Sequence, residues 1–413
     1  GKVAAVGDLS RVPTSKTIQA KGLHILPGII DSQVHFREPG NEHTENLESG
    51  SKAAVLGGVT TVFEMPNTTP PTTTIESFTE KLSRAKGRCH CDYGFFIGAC
   101  EENIGDLPAL ERLPGCVGVK IFMGSSTGTL LIPDDAMLGD VLSSGRRRAA
   151  VHAEDEKRLN ERLPIRDSGG GPELHPEWRD VDTALLATKR LIKLSRSHNR
   201  PVHVLHVTTA EEINILRNAR DIATVECTPQ HLTLVAPDCY NELGTYAQMN
   251  PPIRDETHRR ALWQGILDGT VDVIGSDHAP HTRAEKDAGY PNSPSGMPGV
   301  QTLLPIMLDH VHAGRLNLKR LVELTSTGPA RIYGLAKKGK IEIDFDADLT
   351  LVDLKLKCNI SASWLASKCG WSPFLDKTVT GWPVATILRG KTIMSHDELI
   401  GGAFGEAVTF EGH

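Results

Sequence analysis

Short apolar segments alternate with amphipathic stretches along most of the chain. Eight of these segments are rich in β-branched residues, which is typical of buried strands, and they lie at 24–36, 59–67, 91–99, 117–123, 148–154, 201–209, 224–229 and 272–280. Helix-type patterns lie between them, for example at 45–56, 74–85 and 183–197. Eight strand–helix repeats predict an α/β fold, a TIM-like (β/α)8 barrel.

The pattern changes after residue 335. Polar and apolar residues alternate at period two over 340–353, as in a half-buried strand, and 381–390 resembles a further strand. We therefore expect a small β-sandwich domain formed by the two chain ends, 1–23 and 336–413, beside a barrel over 24–335. Residues 1–7 resemble the second half of a hairpin, so we expect the N-terminal part of this domain to be truncated in this sequence.

Composition narrows the classes of partner. The 413 residues carry a formal net charge of −6, and no basic patch dominates, which argues against nucleic acid. No apolar run is long enough to span a membrane, and no signal peptide is visible. The eight cysteines are scattered without a disulfide framework, which favours free thiols in a reducing cytoplasm. A cytoplasmic protein with a small-molecule substrate is the expectation.

Unusual polar residues follow the first predicted strand. Side chains two apart on a strand point the same way, so Gln33, His35 and Arg37 are expected to share one face. An imidazole, a permanent cation and an amide are an odd set for a core, but they suit a metal and an anionic substrate. The alternative for Arg37 is a surface salt bridge with Glu38 or Glu42.

Other predicted strands also carry polar residues at or near their C-terminal ends, where barrel enzymes place catalytic groups. These residues are Asn67, Lys120, His152, His206 and Asp277. One histidine in a strand is usually structural, but a lysine in an apolar strand is costly to bury, and together the set favours metal-assisted hydrolysis. A carbamylated lysine would be an anionic ligand able to bridge two metals, and Asp277 could both bind metal and move a proton.

Seven segments together resemble the amidohydrolase superfamily and, within it, the dihydroorotases. They are 31–40 (DSQVHFREPG), 65–68 (MPNT), 118–123 (GVKIFM), 151–154 (VHAE), 205–209 (LHVTT), 275–281 (GSDHAPH) and 295–302 (SGMPGVQT). The resemblance spans nearly the whole chain in the correct order. It implies a zinc-dependent enzyme that reversibly hydrolyses the cyclic amide of dihydroorotate to N-carbamoyl-aspartate in pyrimidine biosynthesis.

The resemblance also assigns roles. It implies one or two zinc ions and a carbamylated Lys120 as the bridging ligand, with His35 and Asp277 at the first metal and His152 and His206 at the second. Asp277 would also shuttle the proton. Arg37, Asn67 and His281 match residues that bind the substrate carboxylate, and Asn250 matches a substrate-side motif. A homo-oligomer, dimer or tetramer, is a further expectation.

Gln33 departs from the pattern, because the resemblance calls for a histidine there. Three alternatives stay open: Gln33 coordinates weakly, the first metal site stays empty, or the chain is catalytically silent. Two other functions stay open as well. One is a hydrolase of another cyclic ureide, of the allantoinase or hydantoinase type. The other is a non-catalytic subunit that supports aspartate carbamoyltransferase.

Overall fold

The strands divide into two sheets. The computed structural model describes residues 1–126 and 130–411. The strands in these residues are β1 His24–Pro27, β2 Ile29–Val34, β3 Val59–Glu64, β4 Asp92–Gly98, β5 Cys116–Phe122, β6 Ala149–His152, β7 Val202–Val204, β8 Ala223–Cys227, β9 Val273–Ile274, β10 Leu349–Asn359, β11 Thr378–Leu388, β12 Lys391–Ser395 and β13 Glu398–Leu399. Strands β2 to β9 form one sheet and the other five form the second.

Helices lie between the strands of the first sheet and after its last strand, β9. They are α1 Leu47–Leu56, α2 Ile75–Ala85, α3 Leu107–Leu110, α4 Asp135–Ser143, α5 Glu156–Glu161, α6 Leu163–Arg166, α7 His175–Trp178, α8 Val181–Ser197, α9 Ala210–Arg217, α10 Pro229–Thr233, α11 Asp238–Leu243, α12 Glu256–Asp268, α13 Arg283–Lys286, α14 Leu303–His312, α15 Leu318–Val322 and α16 Gly328–Tyr333. Side-chain caps fix several starts: Asn46 and Thr74 form capping boxes, and Asp180 accepts from Thr183 at the start of α8.

The eight-stranded sheet is the predicted barrel. Its strands pair in parallel and in chain order from β2 to β9. A bridge between Val34 and His278 brings the two edges together, and the backbone N–H of His35 donates to the carbonyl of His278 at 2.7 Å. Every residue of β2, β3, β4 and β5 is buried, as expected for parallel strands covered by helices. The TIM-like barrel is therefore confirmed.

The chain ends supply an antiparallel sheet with the strand order β1-β10-β11-β12-β13. The predicted sandwich takes the form of this one sheet in the described residues. The single strand predicted over 24–36 is divided at Gly28, so that β1 joins the small sheet and β2 the barrel. A Cβ atom at Gly28 would lie 2.2 Å from Oγ1 of Thr60, which explains the small residue at this junction.

The other expected strand at the C-terminal side begins later than its alternating pattern suggested. Turns and irregular backbone occupy most of 340–348, and Asp344 has a positive φ of 68°. The strand β10 begins only at Leu349. Of residues 1–23, Lys2 forms an isolated bridge with Asp346, and the described structure has no strand there. The domain boundaries at 23 and 335 remain predictions.

A buried ionic network joins the two sheets. The Lys338 ammonium lies 2.7 Å from Asp92, 3.1 Å from Asp346 and 2.6 Å from Asp348, and Arg389 also pairs with Asp92. The three carboxylates are close enough together to hold a metal ion, but the ammonium already lies among them. We therefore interpret this cluster as a structural tie.

Within the described ranges, no helix is both long enough and apolar enough to cross a membrane.

Candidate active site

A small cavity of about 20 Å³ lies at the C-terminal ends of the barrel strands. Eight of the nine sequence-predicted site residues line it: His35, Arg37, Asn67, Lys120, His152, His206, Asn250 and Asp277. Gln33 lines it as well. The ninth residue, His281, lies behind Arg37, with its Nε2 atom 3.3 Å from Nη2 of that arginine.

Several of these side chains are held by strained backbone. Arg37, His206 and Asp277 have φ angles of 62°, 36° and 45°, in a region that non-glycine residues rarely adopt. Each such residue costs about 1–3 kcal/mol, and such strain is concentrated at functional sites. All three follow the ends of barrel strands and line the cavity, so the strain directs their side chains to one place.

His35 and Asp277 form one half of the site. Nε2 of His35 lies 3.3 Å from Oδ1 of Asp277, and Nδ1 of His35 lies 2.8 Å from Oδ1 of Asn67. The amide oxygen accepts only, so Nδ1 carries the proton and the Nε2 lone pair faces the carboxylate side. Gln33 also contacts Asp277, donating from Nε2 to Oδ1 at 2.9 Å.

His152 and His206 form the other half. Nδ1 of His152 lies 3.1 Å from Nε2 of His206. On its other side, Nε2 of His152 lies 2.9 Å from the Glu154 carboxylate, which Arg179 holds through several hydrogen bonds. The Glu154 carboxylate beside Nε2 of His152 favours a proton on that nitrogen, so the lone pair of Nδ1 faces His206.

Lys120 lies on β5 between the two halves and is about 1% exposed. Its Nζ lies 4.5 Å from the centre of the Phe122 ring, and within the described ranges it forms no ion pair with a carboxylate. Burial lowers the pKa of Lys120 to about 7, and the charges of Asp277 and Glu226 oppose that effect. A substantial neutral fraction at neutral pH makes this amine a nucleophile able to take up carbon dioxide.

The charges in the site follow from burial and close contacts. Burial lowers the pKa of His35 to about 4, so this imidazole is neutral at pH 7, as a ligand must be. Burial alone would raise the pKa of Asp277, but the close contact with His35 and the nearby His206 and Lys120 hold it below its usual range. Asp277 is therefore a carboxylate at neutral pH.

The donor set fits a metal. Ligand atoms of a tetrahedral zinc ion lie about 3.3 Å apart, given metal–ligand bonds of roughly 2.0–2.1 Å. The two closest pairs here are 3.1 Å and 3.3 Å apart. In addition, Oε1 of Gln33 lines the cavity and is buried without a hydrogen-bond partner among the described residues, as a polar atom is when an ion or water binds there.

Arg37 brings an unpaired cation to the cavity. Its Nε donates to the carbonyl of Pro280 at 3.2 Å and its Nη2 contacts His281, but within the described ranges it forms no ion pair with a carboxylate. Burial lowers the pKa of Arg37 to about 10, which still leaves it charged at neutral pH. The alternative of a surface salt bridge is wrong, because Glu38 pairs with Arg88 and Glu42 with Arg84.

Three supporting residues were not singled out from the sequence. Glu154 and Arg179 stand behind His152, and His175 holds Asn250, with Nε2 of His175 3.0 Å from the amide oxygen. Glu154 was visible two residues after His152, a spacing that points both side chains the same way. For Arg179 and His175, which lie outside the strands, no periodic signal was available.

Comparison with known proteins gives a consistent result. The model of the amidohydrolase family matches residues 24–393. Curated relatives include a dihydroorotase of Halobacterium salinarum, 38% identical over 90% of this chain and 87% of its own length, and an L-hydantoinase of Paenarthrobacter aurescens, 32% identical over 99% and 93%. Among solved structures, L-hydantoinase from Arthrobacter aurescens superposes with a TM-score of 0.94 at 31% identity, covering 99% of this chain and 94% of that one.

Proposed function

This chain belongs to the amidohydrolase family, and we propose that it is a dihydroorotase, which interconverts dihydroorotate and N-carbamoyl-aspartate in pyrimidine biosynthesis. The observation that carries the substrate assignment is Arg37, a buried guanidinium with no carboxylate partner in the described structure. Dihydroorotate supplies the missing carboxylate beside its cyclic amide. Dihydroorotases of several archaea, 36–38% identical to this chain over most of its length, support the same assignment.

We infer that His35, Asp277, His152 and His206 hold one or two zinc ions, with a carbamylated Lys120 between them. When bound, zinc makes a water molecule more acidic and polarises a carbonyl group. The arrangement of these residues supports the assignment, since the two facing pairs of ligand atoms stand at distances suited to tetrahedral zinc.

The remaining steps belong to the side chains. Arg37 and Asn67 bind the substrate carboxylate and orient the ring, His281 holds Arg37 in position, and Asn250 contacts the ring. Water adds to the ring carbonyl carbon, Asp277 takes its proton, and the carbon–nitrogen bond breaks as Asp277 returns that proton to the leaving nitrogen. A carboxylate that stays ionised at neutral pH is suited to accept the proton.

A second candidate is hydrolysis of substituted hydantoins. A larger cavity of about 560 Å³ adjoins the site through Ser126, Asn250 and Ser295, and Trp178 and Tyr290 add aromatic surface to it. Dihydroorotate needs no room for a large ring substituent, so this space is the specific observation in favour of the alternative. The unpaired Arg37 favours dihydroorotate over it.

The test is a substrate panel. Purified protein loaded with zinc, manganese or cobalt is assayed with dihydroorotate, N-carbamoyl-aspartate, allantoin and 5-benzylhydantoin. We expect dihydroorotate to have the highest kcat/KM. The absence of dihydroorotate turnover with all three metals would refute the proposal. Faster hydantoin turnover would favour the second candidate, and copurification with aspartate carbamoyltransferase without turnover would favour the non-catalytic subunit.

The cellular setting follows from the proposed reaction. We infer a cytoplasmic enzyme, where its small, charged substrates are made, and a homo-oligomer of two or four chains. An association with aspartate carbamoyltransferase, which makes N-carbamoyl-aspartate, is part of the same proposal.

A further inference from the structure

The two halves of the site differ in what stands behind their ligands. We propose that the metal centre is asymmetric: an ion fills the half formed by His152 and His206 first, and the half formed by His35 and Asp277 binds a second ion more weakly because of Gln33. This inference rests on the proposed metal-dependent function. It concerns the order of binding, which is independent of the substrate.

The half with His152 is supported by a carboxylate. Glu154 is fully buried and lies 2.9 Å from Nε2 of His152. Arg179 fixes this carboxylate, donating from Nη2 at 2.7 Å and from Nε at 3.1 Å, and it also donates to the carbonyl of Ser125. A carboxylate behind a ligating histidine fixes its tautomer and raises its basicity. The contact is an ion pair and not an aligned hydrogen bond, since Nε2 of His152 has no hydrogen-bond partner within the described residues, but the adjacent negative charge still makes Nδ1 of His152 a stronger metal ligand.

The half with His35 has neutral support. Nδ1 of His35 donates to the Asn67 amide oxygen at 2.8 Å, so its tautomer is fixed. An amide carries no net charge and raises the basicity of the imidazole less than a carboxylate does. By this comparison His35 is the weaker of the two histidine donors.

Gln33 weakens the same half in two ways. Its Nε2 donates to Oδ1 of Asp277 at 2.9 Å, the same oxygen that faces His35, so it competes with a metal for that oxygen. Its Oε1 has no hydrogen-bond partner among the described residues, and this oxygen is the atom of the side chain that could bind a metal. A neutral amide oxygen is a poorer zinc ligand than imidazole. Gln33 thus hydrogen-bonds to the Asp277 oxygen that would bind the metal, and it offers only its own weaker amide oxygen in exchange.

The experiment follows metal occupancy rather than turnover. Crystals of the metal-free protein are equilibrated at a series of buffered free zinc concentrations, and anomalous scattering at the zinc edge reports each position. We expect the peak beside His152 and His206 to appear at a free zinc concentration at least about tenfold lower than the peak beside His35 and Asp277. Peaks that rise together, or in the opposite order, would overturn the inference.

Variants test the cause in both directions. Gln33→His should remove the difference in zinc affinity between the two halves by strengthening the binding of the second ion about 10- to 100-fold. Glu154→Gln should reduce this difference by weakening the binding of the first ion by a similar factor. Gln264→His, which adds an imidazole on the exposed face of α12, is the matched control and should leave the difference unchanged. An unchanged difference in Gln33→His would refute the role of Gln33.

The two proposals fail separately. If the protein binds zinc in the expected order but does not hydrolyse dihydroorotate, the substrate assignment is wrong and the asymmetry stands. If it hydrolyses dihydroorotate but fills both positions together, the asymmetry is wrong and the function stands.

Discussion

Arg37 brings a permanent positive charge into a cavity where it contacts the carbonyl of Pro280 and His281 but forms no ion pair with a described carboxylate. Arg37→Met should therefore lower kcat/KM for dihydroorotate by about 100-fold or more, because a charge-assisted hydrogen bond is lost and the substrate carboxylate stays unpaired. Steady-state kinetics on both variant and wild type measure the effect.

Two comparisons sharpen this result. Arg37→Lys keeps the charge but loses the planar pair of donors, so it should fall between wild type and Arg37→Met. Hydrolysis of a neutral hydantoin, if present, should change little in either variant. An equal loss for the neutral substrate would mean that Arg37 shapes the site rather than reading a carboxylate.

Single residues were predictable where the barrel geometry selects them. His35, Lys120 and Asp277 stand out from the sequence because each is polar at or near the end of an apolar strand. His281 was expected to contact the carboxylate directly, yet it lies behind Arg37 and outside the cavity lining. That arrangement depends on the path of a loop, for which the sequence has no periodic signal.

At the level of elements, the segment between β10 and β11 reaches the active-site loop. Trp371 in this segment is about 2% exposed and donates from Nε1 to the carbonyl of His281 at 2.7 Å. It also packs edge-on against Tyr246, with ring centres 4.8 Å apart. The small sheet thereby positions a residue that backs Arg37.

Trp371→Phe should raise KM for dihydroorotate about 3- to 10-fold with kcat nearly unchanged, because it removes one hydrogen bond that positions the loop and keeps most apolar contacts. Trp364→Phe is the matched control, since its indole donates to Asp397 at 3.0 Å instead. Equal effects of both variants would indicate general destabilisation of the segment.

Helix α14 contains a buried histidine that links stability to pH. Nδ1 of His310 accepts a hydrogen bond from Nη1 of Arg315 at 2.8 Å, and Nε2 lies 2.9 Å from Oγ1 of Thr233. Burial, followed by the nearby charges of Arg315, Lys377 and Arg259, lowers the pKa of His310 to about 3. Between about pH 6.5 and 3, the unfolded chain binds a proton here that the folded chain does not.

Stability should therefore fall as the pH drops below 6.5, with this residue contributing a slope of about 1.4 kcal/mol per pH unit. His310→Gln should lose that part of the slope. Urea unfolding at pH 7, 6 and 5 measures it. The exposed His312→Gln is the control, and a slope in His310→Gln equal to that of wild type would contradict the assignment.

Element boundaries were predictable only in part. Periodicity located all eight barrel strands, because each is a short apolar run between amphipathic stretches. It could not divide β1 from β2, since the apolar run continues through both and the division falls at Gly28, where a Cβ atom would clash with Thr60. It also placed the start of β10 too early. Residues 340–348 alternate in polarity, but their backbone turns, and Asp346 and Asp348 in this stretch pair with Lys338.

For the whole molecule, Lys338 joins the barrel to the small sheet. Its side chain is about 5% exposed and lies among Asp92, Asp346 and Asp348. Lys338→Met should destabilise the protein by about 3–5 kcal/mol, because three carboxylates would be left near one another with a single remaining cation, Arg389, at Asp92.

The same variant should acquire a cation site. The three carboxylates offer ligand atoms within 4.8 Å of one another, and calcium prefers such oxygens. Millimolar calcium should therefore raise the melting temperature of Lys338→Met and leave that of wild type nearly unchanged. Lys340→Met, at an exposed lysine, is the control. A calcium response equal to that of wild type would mean that the cluster rearranges when the ammonium is removed.

The pairing of β1 with β10 has a consequence for how the protein is made. Leu26 pairs with Thr350, 324 positions later, so the small sheet cannot assemble until most of the chain has been synthesised. At roughly 5–20 residues per second, that delay is about 15–65 s. β2, which leads into His35, is separated from β1 by Gly28 alone. During this time β1, next to the strand that leads into His35, has no partner strand. A ribosome-bound chain stopped before residue 350 should therefore not yet bind metal in the geometry of the complete protein.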